Sequence, residues 1–214
     1  MGVHRSRRRI LVATTNPGKV KELKAMLDAD VEWVGLSAFP GAGEIHEDGA
    51  TFAENARQKA TGYAKATGLW TIADDSGLVV DALGGQPGVR SARFSGEKSK
   101  GADRSLIDHK NIAKVLELLE GVPRERRTAR FVCCLCLANP QRVLAEAEGM
   151  LEGLIGEQEI GTNGFGYDPI FSVPQFGRTV AQLAEDEKNA ISHRGQAIRK
   201  LRPLLESALG LEDA

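Results

Sequence analysis

Ile10-Leu11-Val12-Ala13-Thr14-Thr15-Asn16-Pro17-Gly18-Lys19 is the stretch that decides the fold. Ile10 to Ala13 read as a short buried strand, and the character of the chain then changes within three residues. Asn is a favoured helix N-cap and Pro is favoured at the first helical position, so a helix is expected to begin near Pro17. Val20, Leu23, Met26 and Leu27 supply its apolar stripe. A buried strand that turns directly into a helix with one apolar face is the opening of an α/β unit.

The same alternation continues outward. Thr51-Phe52-Ala53-Glu54 has capping-box spacing and opens a second helix running to about Ala66. Leu69 to Ala73 form a strand that runs into Asp74-Asp75-Ser76-Gly77, with Leu78-Val79-Val80 as a candidate continuation. Gly84 to Gly88 is a loop by composition. Asp103 is placed to cap a third helix, in which Leu106, Ile107, Ile112, Val115, Leu116 and Leu119 are periodic. Arg130 to Ala138 form a buried strand, turned at Asn139-Pro140 into Val143 to Glu148, with Met150 to Ile155 as a candidate further strand. A glycine-rich loop spans Gly156 to Gly166, and a short helix is expected near Thr179 to Glu185. The last helix starts at Ser192, and Pro203 is expected to kink it or to limit its first part. Helices alternate with strands and a meander follows, which gives an α/β fold with a mixed sheet.

Composition bounds the function. The chain has 214 residues, and with ~150 residues per domain as the prior one large domain over 1–214 is expected, residues 1–9 being a flexible basic arm. Hydrophobic residues are 42% and charged residues 27% of the chain, which is ordinary for a globular protein. Net charge is 28 − 29 = −1, so there is no broad electrostatic footprint for nucleic acid. No apolar run approaches the ~20 residues of a membrane span. The apolar segment after His4-Arg5-Ser6-Arg7-Arg8-Arg9 is too short for a signal peptide. Cys133, Cys134 and Cys136 share one apolar run, which is neither a disulfide framework nor a zinc knuckle. They read as small buried hydrophobes in a reducing compartment, the cytoplasm.

Four stretches carry groups able to do chemistry. At Thr14 to Lys19 a helix N-terminus offers unpaired N–H groups and a lysine, an arrangement suited to phosphate. It is not a P-loop, because Ala13 and Val20 stand where that motif needs Gly and Ser or Thr. At Ala73 to Gly77 two adjacent acids stand at the end of an apolar strand, costly unless a cation or donors lie near. Strand alternation would let one of the two reach a ligand. Mg²⁺ favours carboxylate oxygens, waters and substrate phosphates, and Glu44 to Asp48 could supply a further ligand. At Gly161 to Pro169 glycines allow close backbone approach, Phe165 offers a stacking face and Asp168 an acceptor. At Lys188 to Arg194 a histidine and an arginine fall in the first turn of a helix, where the helix dipole opposes cations. That conflict points to an anionic or electron-rich partner.

Taken in order, these stretches resemble the inosine triphosphate pyrophosphatase family, which acts on deaminated purine nucleoside triphosphates. The resemblance rests on Thr-x-Asn-x-Gly-Lys, Thr-Phe-x-Glu-Asn-Ala, Ala-Asp-Asp-Ser-Gly-Leu, Gly-Phe-Gly-Tyr-Asp-Pro and Ala-Ile-Ser-His-Arg-Gly, and runs from about Ile10 to Leu201. It implies an elongated two-lobed α/β fold, a long mixed β-sheet flanked by helices, a cleft between lobes, and a homodimer. It implies Mg²⁺ as cofactor, with Asp75 as one candidate ligand and Glu47 or Glu44 as another. By position, Asp75 is similar to the family's catalytic acid and proton acceptor. Thr14, Thr15, Asn16, Pro17, Gly18 and Lys19 resemble its phosphate loop, and Lys59 a second phosphate-side cation. Ser76 resembles a ligand contact. Phe165, Gly166, Tyr167 and Asp168, with Lys188, His193 and Arg194, resemble the base and ribose pocket. The chain departs from the pattern at Thr15, where Gly is usual, and at His46, in a stretch that is often doubly acidic.

The expected reaction is therefore hydrolysis of ITP, dITP or XTP between the α and β phosphates, with the monophosphate and pyrophosphate as products. Two rival readings remain: a Maf-type pyrophosphatase for modified nucleotides, and a non-catalytic module binding nucleotide or RNA through its arginines. The near-neutral charge and 5% aromatic content weigh against the second.

Overall fold

The computed structural model describes residues 7–96 and 103–212. Strands and helices alternate, giving β1 (Arg9–Val12), α1 (Pro17–Leu27), β2 (Glu32–Gly35), α2 (Phe52–Thr67), β3 (Trp70–Val80), α3 (Arg104–Leu118), β4 (Thr128–Ala138), β5 (Val143–Ile155), β6 (Phe171–Val173), β7 (Arg178–Thr179), α4 (Glu185–Ile191) and α5 (His193–Glu212). The sheet order is β2-β1-β3-β4-β5-β6-β7. β1 is parallel to β2 and β3, whereas β6 is antiparallel to β5 and β7, so the sheet is mixed as the sequence implied.

The chain divides into two compact units. The first holds the residues up to Asp75, Cys134–Glu148 and the chain from Ala197 onward. Its core gathers Ile10, Leu11, Leu23, Leu27, Ile72 and Leu201, all fully buried. The second holds Ser76–Cys133 and Gly149–Gln196, around Leu78, Ile112, Val115, Phe131, Ile155 and Phe171.

Several expectations change. Asp74 to Gly77 are not a turn at a strand end but the middle of the eleven-residue β3. β1 pairs with β3 only as far as Val12 opposite Ile72, so Ala73 to Gly77 lie beyond the end of β1. Val143 to Ile155 form one continuous strand rather than two, with alternating buried and exposed residues over most of its length. The expected arm is partly drawn in. Residues 1–6 lie outside the described residues, but Arg9 begins β1, Arg7 pairs with Asp30 at 2.7 Å, and the Arg8 guanidinium lies 4.5 Å from the centre of the Trp70 ring. Instead of a helix near Thr179 to Glu185 there is β7, then a 3-10 turn at Val180–Gln182. The helix comes later, at Glu185–Ile191, where the Glu187 carboxylate accepts from the Ala184 N–H at 2.9 Å. α5 runs through Pro203 to Glu212. The proline removes one backbone donor, but Leu201 and Leu205, fully buried on either side, hold the helix in place.

The cysteines lie on β4, buried in the sheet. Burial pushes the Cys134 and Cys136 thiols up to about 12, which keeps them protonated and unreactive at neutral pH. Among the described residues no helix is long and apolar enough to cross a membrane.

Candidate active site

In the first unit the site grows from the end of β1. The Ala13 N–H donates to the Ile72 carbonyl at 2.8 Å, the last rung before the chain turns. Asn16 then caps α1, its Oδ1 accepting from the Gly18 N–H at 2.9 Å and the Lys19 N–H at 3.3 Å. The Thr14 hydroxyl accepts from the Asn16 N–H at 3.2 Å. Pro17 occupies the first helical turn. The loop is thus built by capping, as the sequence indicated, and Thr15 and Pro17 remain exposed at its tip.

Lys19, in the first turn of α1, reaches across to the Asp74 carboxylate, which is wholly buried. α2 supplies the opposite wall. Its capping box, Thr51 with Glu54, fixes the helix start, and Asn55 and Lys59 are one turn apart on the same face. Lys59 donates to the Asp74 carbonyl at 3.1 Å and pairs with Glu47 at 2.9 Å. The Asn55 Oδ1 accepts from the Gly49 N–H at 2.8 Å, which turns its Nδ2 toward Asp75 Oδ2 at 3.0 Å. Successive residues of β3 therefore have different partners. Asp74 is closed off beneath Lys19, whereas Asp75 is half-buried under Asn55. Burial raises the Asp75 carboxyl above its ordinary value, and the nearby Glu47 charge adds to this. Lys59, Lys19 and the Asn55 hydrogen bond act in the other direction and do not cancel it.

The second unit holds the other cluster. The buried Asp168 carboxylate accepts from Lys188 Nζ at 2.8 Å and from the Phe165 N–H at 3.0 Å. A side chain at Gly164, where φ is +79°, would place its Cβ 2.0 Å from Asp168 Oδ2, so only glycine fits. Lys188 lies 4.5 Å and Arg194 5.6 Å from the centre of the Phe165 ring, both within cation–π range. Arg194, almost wholly buried, donates from Nη2 to the Ser76 hydroxyl at 2.9 Å. Ser192 closes α4 and opens α5, accepting from the Gly195 N–H at 3.0 Å. This puts His193 and Arg194 in the first turn, as expected. The His193 ring stacks on Phe131 at 4.8 Å, and Phe131 stacks on Phe171 at 4.3 Å.

Each unit thus gathers one set of the residues singled out in the sequence: Thr14 to Lys19, Glu47, Lys59 and Asp75 in the first, and Ser76, Phe165 to Asp168, Lys188, His193 and Arg194 in the second. Two of these are buried and already bonded within the protein. Tyr167 is buried in the core, its hydroxyl donating to the Ser91 carbonyl at 2.8 Å. Asp168 already accepts from Lys188 and from its own loop, so it organises the loop. Sequence reasoning missed Asn55, although Glu54-Asn55-Ala56 was in view. It also missed the Asp108 carboxylate, which accepts from the Gly166 N–H at 3.0 Å. No local pattern ties Asp108 to a loop 58 residues away.

Residues 10–204 match the model of the Ham1 family. A dITP/XTP pyrophosphatase of Geobacillus kaustophilus is 49% identical over 202 residues, covering 94% of this chain and 96% of its own length. This chain belongs to the Ham1 family. A Bacillus subtilis relative with the same name is 48% identical over 200 residues, covering 92% of this chain and 96% of its own. Among solved Ham1 structures, that of Coxiella burnetii is 42% identical with a TM-score of 0.82, covering 94% of this chain and 99% of that one. A nucleoside-triphosphatase/dITP/XTP pyrophosphatase of Mycobacterium abscessus is 45% identical with a TM-score of 0.73, covering 91% and 99%.

Proposed function

We propose that this Ham1-family chain is a nucleoside triphosphate pyrophosphatase that hydrolyses deaminated purine nucleotides such as dITP, ITP and XTP and so cleanses the nucleotide pool. The observation that carries the reading is the Asp75 carboxylate, oriented by Asn55, raised by burial and flanked by Lys19 and Lys59. A carboxylate held above its ordinary pKa is a better proton acceptor at neutral pH. Asp75 takes a proton from a water aimed at the α phosphorus. Water oxygen bonds to that phosphorus, the bond to the bridging oxygen breaks, and pyrophosphate leaves. Phosphoryl-type transfer depends on neutralising charge more than on covalent chemistry. Lys19, Lys59 and the capped α1 N-terminus serve that need.

Mg²⁺ is part of the reading. Asp75 and Glu47 are hard oxygen donors within each other's field, which fits a magnesium ion. Among the described residues no group of three or more His, Cys, Asp or Glu side chains is arranged to hold a metal alone. The ion would therefore take much of its coordination from waters and substrate phosphates, as Mg²⁺ commonly does. When bound it neutralises phosphate charge.

In the second cluster Phe165 offers its ring to the base and Arg194 donates toward O6 of hypoxanthine or xanthine. Adenine carries an amino donor there, which would meet a donor. Sites of this kind can reject the wrong partner by ~10⁴. Guanine also has O6, so a pocket with no acceptor for the 2-amino group must exclude it. We further infer a homodimer acting in the cytoplasm, the former from the resemblance and the latter from three buried thiols.

The test is incubation with Mg²⁺ and dITP, scored for phosphate with and without added inorganic pyrophosphatase. Phosphate appearing only with the helper enzyme supports release of pyrophosphate. Phosphate without it means stepwise terminal cleavage and overturns the reading. A panel in which modified pyrimidine triphosphates outpace dITP favours a Maf-type enzyme, and light scattering at the mass of one chain removes the dimer.

A further inference from the structure

Tyr167 lies between Gly166 and Asp168 in the motif expected to bind the base, yet its side chain turns the other way. The residue is 6% exposed in the core of the second unit, and its hydroxyl donates to the Ser91 carbonyl at 2.8 Å. Ser91 was not singled out by any motif. It reaches this place because the chain folds back on the end of β3. The Val80 N–H donates to Gln86 at 3.1 Å, the Gly85 N–H donates to Val80 at 2.9 Å, and a 3-10 turn over Gly88–Arg93 brings Ser91 inward.

Ser91 is 6% exposed, and its hydroxyl is fully employed. Oγ accepts from the Leu78 N–H at 2.9 Å and lies 2.6 Å from the Gly88 carbonyl, to which it donates its proton. Gly77 leaves room for it. A Cβ there would lie 2.2 Å from Ser91 Oγ and 2.7 Å from Ser91 Cβ, closer than packing permits. One residue earlier, the Ser76 hydroxyl accepts from Arg194. Two residues before Tyr167 is Phe165, whose ring is faced by Lys188 and Arg194. Ser91 therefore touches the strand segment that carries one contact of Arg194 and, through its carbonyl, the loop that carries the other.

We propose that Ser91 is a positioning residue for purine selection: its Oγ fixes Ser76-Gly77-Leu78, its carbonyl fixes Tyr167, and together they set the spacing of Arg194 and Phe165. The inference rests on the function proposed above and lies wholly within the second unit. It takes Tyr167 out of the base pocket and makes it a strut.

Tyr167→Phe removes one oxygen and Ser91→Ala another, and neither removes core volume of any size. One hydrogen bond corresponds to a change of about 2- to 10-fold. Each variant is therefore expected to raise KM for dITP by about that factor with little change in kcat, and to lower the dITP/dATP ratio of kcat/KM. The double variant is expected to fall short of the product of the two, because both act through the same turn. A lower melting temperature with unchanged KM and ratio in both single variants overturns the proposal. Hydrogen exchange in the ligand-free protein separates it from the functional reading. Faster exchange over Phe165 to Asp168 in Tyr167→Phe, and at Leu78 in Ser91→Ala, supports the strut even if wild type leaves dITP intact, an outcome that would sink the functional reading alone. Unchanged exchange in both overturns the strut.

Discussion

The Asp75 carboxylate illustrates how an acid proposed for catalysis is held at a cost to stability. Burial disfavours its charge, and two lysines and Asn55 do not fully offset that. Its folded pKa therefore lies above its unfolded value. Below the unfolded value both states are protonated and Asp75 makes no difference. As pH rises through the window between the two values, the unfolded state loses its proton first, and the folded state loses stability. Above the folded value the full cost is present. Asp75→Asn is thus expected to melt higher than wild type at neutral pH in EDTA, with the gain fading as pH falls toward the ordinary carboxylate range. The same substitution should lower kcat by ~10²- to 10⁴-fold, the usual contribution of general-base catalysis. Wild-type kcat should fall on the acid side with a midpoint above the usual Asp value of 3.8. Melting curves and a kcat–pH profile check both, and near-normal turnover in the variant would remove Asp75 from the chemistry. Arg194 makes a different case. Truncation to Ala should cut ITP turnover and narrow the ITP/ATP ratio, measured as paired kcat/KM values. An unchanged ratio would sink its assignment to O6.

At the scale of elements, α2 does the most positioning. One helix start sets Asn55 toward Asp75 and Lys59 toward Asp74 and Glu47. Thr51 Oγ1 accepts from the Glu54 N–H at 3.2 Å, and Glu54 returns to the Thr51 N–H at 3.1 Å. Thr51→Ala should cost about 1 kcal/mol, which for a chain of this size lowers the melting temperature by about 2–4 °C. If the helix start also sets Asn55, KM for dITP should rise with it. Thermal melts and steady-state kinetics on one preparation test both. The caps of α1, α2 and α3 were legible because capping is local: Asn16, Thr51 and Asp103 act within three residues. The sequence marks the apolar strand only over Leu69 to Ala73, with Leu78 to Val80 as a candidate continuation, because polar residues in mid-strand look like a turn until their partners are known. Those partners, Lys19 and Asn55, come from helices 55 and 20 residues away. β7 and α4 were displaced for the same reason. Two residues of strand leave no period to read, and α4 is capped by a glutamate three residues on, without a Ser, Thr or Asp at its start. The candidate residues were legible as types in order, and the fold gathers Thr14 to Lys19, Lys59 and Asp75 in one unit and Phe165, Lys188 and Arg194 in the other. The burial of Tyr167 was not legible, because a core aromatic and one lining a pocket have the same letter.

For the whole molecule, a net charge of −1 supplies no general attraction for a polyanion. On the proposed reading, recognition of a triphosphate falls to local cations such as Lys19 and Lys59, which already pair with Asp74 and Glu47. Their side chains are only 15% and 12% exposed, so salt screens them less than surface charges. Binding must compete with pairs the protein has already made; on the proposed reading, a magnesium ion arriving with the phosphates would ease the competition, with Glu47 and Asp75 as the residues that would hold it. This predicts a linkage across the chain. A non-hydrolysable dITP analogue at 100 times its Kd should stabilise the folded state by about 2.7 kcal/mol, raising the melting temperature by about 5–10 °C. EDTA should remove most of that rise, and Glu47→Gln should weaken the magnesium dependence. The matching dATP analogue at the same concentration should give a much smaller shift, because the phosphates are identical and only the ring differs. Thermal melts across the four conditions decide it. Equal shifts for the two analogues would mean that the phosphates alone are recognised, and a shift insensitive to EDTA would remove the metal from binding.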